Sequence, residues 1–144
     1  MTVFCDTSVL VAACIRQHPH YERARPILAA IAEGKDTGVI SAHSLAELFS
    51  ALTSVPLAPR IQPSDARALI ATNIQKHFQL VAVTPAMYVQ ALDCCVGRGL
   101  GGGKVYDALL LACARQSQAD RIYTFNLHDF RRLAPDLVER MAEP

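Results

Sequence analysis

The sequence predicts an α/β fold in which helical layers enclose a central, mainly parallel sheet. Four short runs, 3–5, 39–41, 80–83 and 122–125, are apolar or β-branched with little alternation, the pattern of strands covered on both faces. Stretches of helical periodicity fill the intervals between them, and strands separated by helices pair in parallel. Hydrophobic residues make up 51% of the chain and charged residues 19%, which supplies apolar surface for both faces of such a sheet.

Taken in order, the first strand ends at Asp6, and helices are expected over 7–16 and 21–33. The second strand leads into a helix over 42–54. The segment 55–63 carries three prolines and reads as a loop. A helix over 64–78 follows, with Pro63 at its first turn and Ser64 as a potential cap; Thr84 and Pro85 play the same parts for a helix over 85–97. A glycine-rich loop precedes a helix over 104–118, and the fourth strand runs into TFNLHDF.

At 144 residues and 15.7 kDa the chain is read as one domain, 1–144, with no room for a second catalytic unit. Fourteen basic and thirteen acidic residues leave a net charge of +1, so a polyanion would have to be held locally. No stretch is long enough to span a bilayer and no secretory signal is visible, so a cytoplasmic location is expected. The five cysteines form neither a C-x-x-C pair nor a zinc pattern and read as small hydrophobes in a reducing compartment.

Ligands of parallel sheets sit beyond the carboxyl ends of the strands, and acidic residues gather at those places. Asp6 follows the first strand, where it also suits a helix cap. Glu47 lies on a polar helical stripe with His43, Ser50 and Ser54, which a solvated face would equally explain. Asp107 interrupts VYDALLLACA, an otherwise apolar or aromatic run, and a buried charge there needs a partner or a metal. Asn126 and Asp129 follow the fourth strand, where a turn or cap is the ordinary explanation. Clustered carboxylates repel unless a cation neutralises them, and oxygen-only donors suit Mg²⁺ or Mn²⁺, which can activate water for attack on phosphorus.

The loop GRGLGGGK contains G-x-G-x-x-G but follows a helix rather than a strand, and Val105 stands where a P-loop needs Ser or Thr, so the context argues against a dinucleotide or P-loop site. Arg98 and Lys104, which flank its glycines, are available to a phosphate backbone.

The stretches VFCDTSVLVA, ISAHSLAELFSAL, GGGKVYDALLLACA and IYTFNLHDF, in this order, make the chain resemble the PIN-domain ribonucleases, and among them the VapC toxins of toxin–antitoxin pairs. The resemblance implies a PIN-like three-layer α/β/α fold, a Mg²⁺- or Mn²⁺-dependent endoribonuclease cutting single-stranded or loop RNA such as tRNA or rRNA, a homodimer, and a VapB-like antitoxin that occludes the site. By position it implies Asp6, Glu47 and Asp107 as catalytic metal ligands and Thr7 and Thr124 as supporting hydroxyls. The chain departs at the fourth acidic position, which is Asn126 here. Either its amide oxygen suffices, or Asp129, three residues on, supplies the missing catalytic and metal-binding carboxylate, or a second metal is weakly held. The alternative is a non-catalytic PIN-like module that binds RNA or protein; a phosphoacceptor domain is a more distant reading.

Overall fold

The computed structural model describes residues Met1–Pro144. Its sheet is built from β1 (Thr2–Cys5), β2 (Thr37–Ser41), β3 (Phe78–Val81), β4 (Arg121–Tyr123) and β5 (Met141–Ala142), all parallel, in the spatial order β3-β2-β1-β4-β5. The central strands β1 and β2 are covered on both faces, as their apolar residues require, whereas β3 lies at the sheet edge and leaves Gln79 and Leu80 exposed, contrary to the expectation for its apolar run. Val3, Cys5 and Ile40 point into one core with α1 (Thr7–Cys14), α2 (Tyr21–Ala32), α3 (His43–Ser54) and α4 (Pro63–Ile70). Phe4, Val39 and Ile122 point into the other with α5 (Pro85–Arg98), α6 (Lys104–Ser117) and α7 (Leu127–Leu133). Leu10, Leu48 and Leu52 are wholly buried in the first layer and Leu110, Leu111 and Leu133 nearly so in the second; truncating any one to Ala costs about 2–5 kcal/mol. No helix is long and apolar enough to cross a membrane.

The expected helix over 64–78 is corrected at its end. α4 gives way to a π-helical turn, Ala71–Gln75, and Phe78 opens β3, so that strand begins two residues earlier than its apolar run suggests. Phe78 pairs with Gly38, where a Cβ would come within 2.7 Å of both the Phe78 ring and Ile31. The aromatic ring occupies the space that glycine leaves. Ser64 does not cap α4, whereas Thr84 accepts from the Met87 amide at 3.3 Å and caps α5. α5 ends at Gly99, whose φ of +65° permits the Leu100 amide to reach back to the Cys95 carbonyl. The 3₁₀ turn Pro135–Arg140 and β5 extend the sheet beyond the four strands expected; two residues are too few to leave a periodic signal.

The order of strands positions the site. From β1 the chain winds outward to β2 and β3, then returns to lay β4 against the other side of β1. A crevice opens at such a switch point, beyond the carboxyl ends of β1 and β4.

Candidate active site

Asp6 begins the site. It follows β1 directly, its amide bonds the Tyr123 carbonyl of β4, and it is 4% exposed. Ser8 and Thr124 hydroxyls both donate to its Oδ2, each at 2.7 Å. These hydroxyls in turn accept backbone amides of the loop after β4: Phe125 N–H donates to Ser8 Oγ and Asn126 N–H to Thr124 Oγ1. One buried carboxylate therefore anchors the loop that presents Asn126.

Glu47 comes from α3, which buries Ser44, Leu48 and Leu52 and turns its polar stripe outward. Thr7 Oγ1 donates to Glu47 Oε1 at 3.2 Å and lies 3.0 Å from Ser44 Oγ, so the start of α1 braces α3. Asp107 stands in the first turn of α6, just before the fully buried stretch Ala108–Ala114. Asn126 Nδ2 donates to Asp107 Oδ2 at 2.9 Å. Asp6, Glu47, Asp107 and Asn126 line one cleft of about 610 Å³, together with Thr7, Ser8, His18, His20 and Phe125.

The three carboxylates are each held at one oxygen by neutral donors, which fix direction without cancelling charge. Burial pushes the Asp6 carboxyl above its ordinary value against the pull of the Ser8 and Thr124 hydroxyls. Burial also raises Glu47, opposed by His43 and Thr7 and reinforced by the charge of Asp6. Asp107 is pushed from 3.8 up to about 7, first by burial, then by the charges of Asp6 and Asp129, with Lys104 pulling the other way. Three groups that resist ionisation in one cleft make up an oxygen-only donor set with surplus negative charge. No three of the acidic, histidine or cysteine side chains are arranged so that they could by themselves hold a metal ion. By donor chemistry alone, a set of carboxylate and amide oxygens would take a hard cation such as Mg²⁺, which keeps several waters and takes one or two carboxylates directly, rather than zinc.

The structure gathers Asp6, Thr7, Glu47, Asp107 and Asn126 at the cleft, with Thr124 buried behind Asp6. Asp129 does not line it: its carboxylate takes the Lys104 ammonium at 2.7 Å, and this bond holds it below the usual carboxylate range. Lys104 is thereby engaged by α7. Arg98, exposed at the end of α5, lies outside the cleft and in the field of Asp136. Sequence reasoning missed Ser8, two residues from Asp6, and Ser44. It also missed a stack of His43 on Tyr106, with ring centroids 6.0 Å apart and planes within 1°.

Comparison with known proteins gives the family. Residues 3–135 match the PIN domain family. The chain is 34% identical over 124 residues to Ribonuclease VapC40 of Mycobacterium tuberculosis, an alignment covering 79% of each. Its fold resembles the crystal structure of M. tuberculosis VapC20, described as a Sarcin-Ricin loop cleaving toxin, with a TM-score of 0.67 at 20% identity over 86% of this chain and 89% of the other. It also resembles VapBC2 from Rickettsia felis, determined bound to a DNA fragment from their promoter, with a TM-score of 0.69 at 20% identity over 99% and 98% of the two chains. With an all-parallel sheet flanked by helices, acidic residues converging at its switch point and these matches over most of its length, the chain belongs to the PIN-domain family, among its VapC-type ribonucleases.

Proposed function

We propose that this protein is an endoribonuclease toxin that hydrolyses a phosphodiester in single-stranded or loop RNA, with tRNA and rRNA loops as the substrate class, and that it requires Mg²⁺ or Mn²⁺ held by Asp6, Glu47 and Asp107. The observation that carries this reading is the convergence of three carboxylates, from three separate elements, on one cleft where ionisation of Asp107 is held back to about 7. A cluster that resists its own charge is one that a divalent cation relieves. Such an ion, held there, would supply water of lowered pKa and offset charge on the phosphate oxygens.

The residues of the chain do the positioning. Ser8 and Thr124 keep Asp6 in one orientation, Thr7 keeps Glu47, and Asn126 keeps Asp107, so the carboxylates need little rearrangement when charge develops on the phosphate oxygens. Asn126 occupies the fourth acidic position as an amide that steadies Asp107. Asp129, outside the cleft lining, raises the Asp107 carboxyl by its charge and fixes the Lys104 ammonium, which would meet the RNA backbone.

The partner proposed is a VapB-like antitoxin. An apolar groove lined by Val11, Ile15, Pro19, Val55 and Leu57 shares Val11, His18 and Ala51 with the catalytic cleft, so an amphipathic segment laid along it would cover the carboxylates. A homodimer is supported by α5, which exposes Tyr88, Val89, Leu92 and Val96 along one side. A cytoplasmic location fits five cysteines that are all free thiols.

The test is cleavage of single-stranded RNA by purified protein freed of antitoxin. Activity with Mg²⁺ or Mn²⁺ should stop on chelation and return when the ion is restored. Retention of RNA without cleavage under either ion would instead favour the non-catalytic binding module.

A further inference from the structure

Tyr106 is half exposed although it sits one residue before Asp107 and two before the buried interior of α6. It is not among the core residues of α6, which are Val105 at the edge of the core and the run from Ala108 onward. Its ring lies parallel to that of His43 on α3, one helical turn from Glu47. Together with Ala46, Glu47, Ser50 and Ala51 the two rings line a hollow of about 460 Å³, and Glu47 and Ala51 also line the carboxylate cleft, so the two spaces adjoin each other.

The chemistry of this hollow is selective. It contains no lysine or arginine, and its one formal charge is the Glu47 carboxylate, so a phosphate is disfavoured there. Two ring faces and two alanine methyls suit a flat, neutral, aromatic ligand. Every unpaired nucleobase offers such a face, whereas bases within a duplex have theirs occupied by neighbours. We propose that His43 and Tyr106 form a stacking subsite for one unpaired nucleobase next to the phosphate cleaved at Asp6, Glu47 and Asp107, and that this subsite makes the enzyme require a single-stranded nucleotide at that position. The inference rests on the nuclease reading above and deepens it.

The experiment uses a short single-stranded RNA that the protein cuts, and variants of it with an abasic ribose placed in turn on each side of the cut. For the wild type, one abasic position should raise KM by roughly 5- to 150-fold, the range of a lost base–aromatic stack. Tyr106→Leu should raise KM on intact RNA by a similar factor with kcat held within about threefold, as expected for lost substrate binding. It should show no further loss on that abasic substrate. Tyr106→Phe, which keeps the ring, should stay near the wild type, and thermal melting should show both variants folded. A Tyr106→Leu variant with the wild-type KM, or with the same extra loss on abasic RNA as the wild type, would overturn the stack alone. A wild type that cuts no RNA would overturn the nuclease reading and the subsite with it.

Discussion

Asp107→Asn in the metal-free protein isolates the cost of gathering the carboxylates. Its carboxyl is pushed from 3.8 to about 7, and at about 1.4 kcal/mol per factor of ten in proton affinity this corresponds to roughly 4 kcal/mol of unfavourable interaction in the charged form. Asp107 is only partly buried, so solvent screening reduces the effect to about 1–2 kcal/mol. From about pH 4, where the unfolded carboxyl ionises, to about pH 7, the native state keeps a proton that the unfolded state has lost, so stability falls as pH rises. Asparagine lacks that dependence and can still accept the Asn126 amide. The variant should therefore melt with the wild type near pH 4 and higher by roughly 2–8 °C at pH 8, at about 2–4 °C per kcal/mol for a domain of this size. Thermal scans in chelator across that range measure the difference. Saturating Mg²⁺ at pH 8 should reverse the order, since an ion at a hundred times its Kd adds about 2.7 kcal/mol to the form that binds it. A variant no more stable than the wild type at pH 8 in chelator would refute the electrostatic reasoning.

Thr124→Val removes one of the two hydroxyls on the buried Asp6 carboxylate and leaves the Asn126 amide without its acceptor; urea unfolding should report a loss of about 1–3 kcal/mol, with a higher Mg²⁺ requirement for cleavage. Asn126→Asp puts a carboxylate where an amide now donates to Asp107 at 2.9 Å, so the metal-free protein should melt lower and the gain on adding Mn²⁺ should exceed that of the wild type. Gly38→Ala forces a methyl against Phe78 and Ile31 at 2.7 Å and should cost about 1–3 kcal/mol by overpacking, read as a lower urea midpoint.

The layers and the central strands were legible because a strand buried on both faces must be apolar throughout, and Phe4, Val39 and Ile122 are. The acidic positions were legible because a charge is conspicuous in so apolar a run as the one that holds Asp107. What joins them was not. The bond between Lys104 and Asp129 spans 25 residues and depends on how α7 packs against α6, so the i,i+3 spacing that suggested Asp129 as a cleft residue could not reveal the ammonium waiting for it. Phe78 reads as the tail of a helix until Gly38 is known to lie beside it. Ser8 and Thr124 are separated by 116 positions yet meet on one oxygen of Asp6, through the pairing of β1 with β4. Tyr106 passes as one more apolar residue in VYDALLLACA because sequence does not show which residues of a helix's first turn escape the core.

That Asp6, Glu47 and Asp107 share one ion is tested most directly by titrating Mn²⁺ into the antitoxin-free protein and following free Mn²⁺ by electron paramagnetic resonance, alongside RNA cleavage by the same samples. Asp6→Asn, Glu47→Gln and Asp107→Asn should each weaken Mn²⁺ binding by about tenfold or more and slow cleavage by a larger factor, because each change removes a negative charge and one of two carboxylate oxygens from the same ion. If any one of the three keeps both the Mn²⁺ affinity and the cleavage rate of the wild type, that residue is not part of the centre.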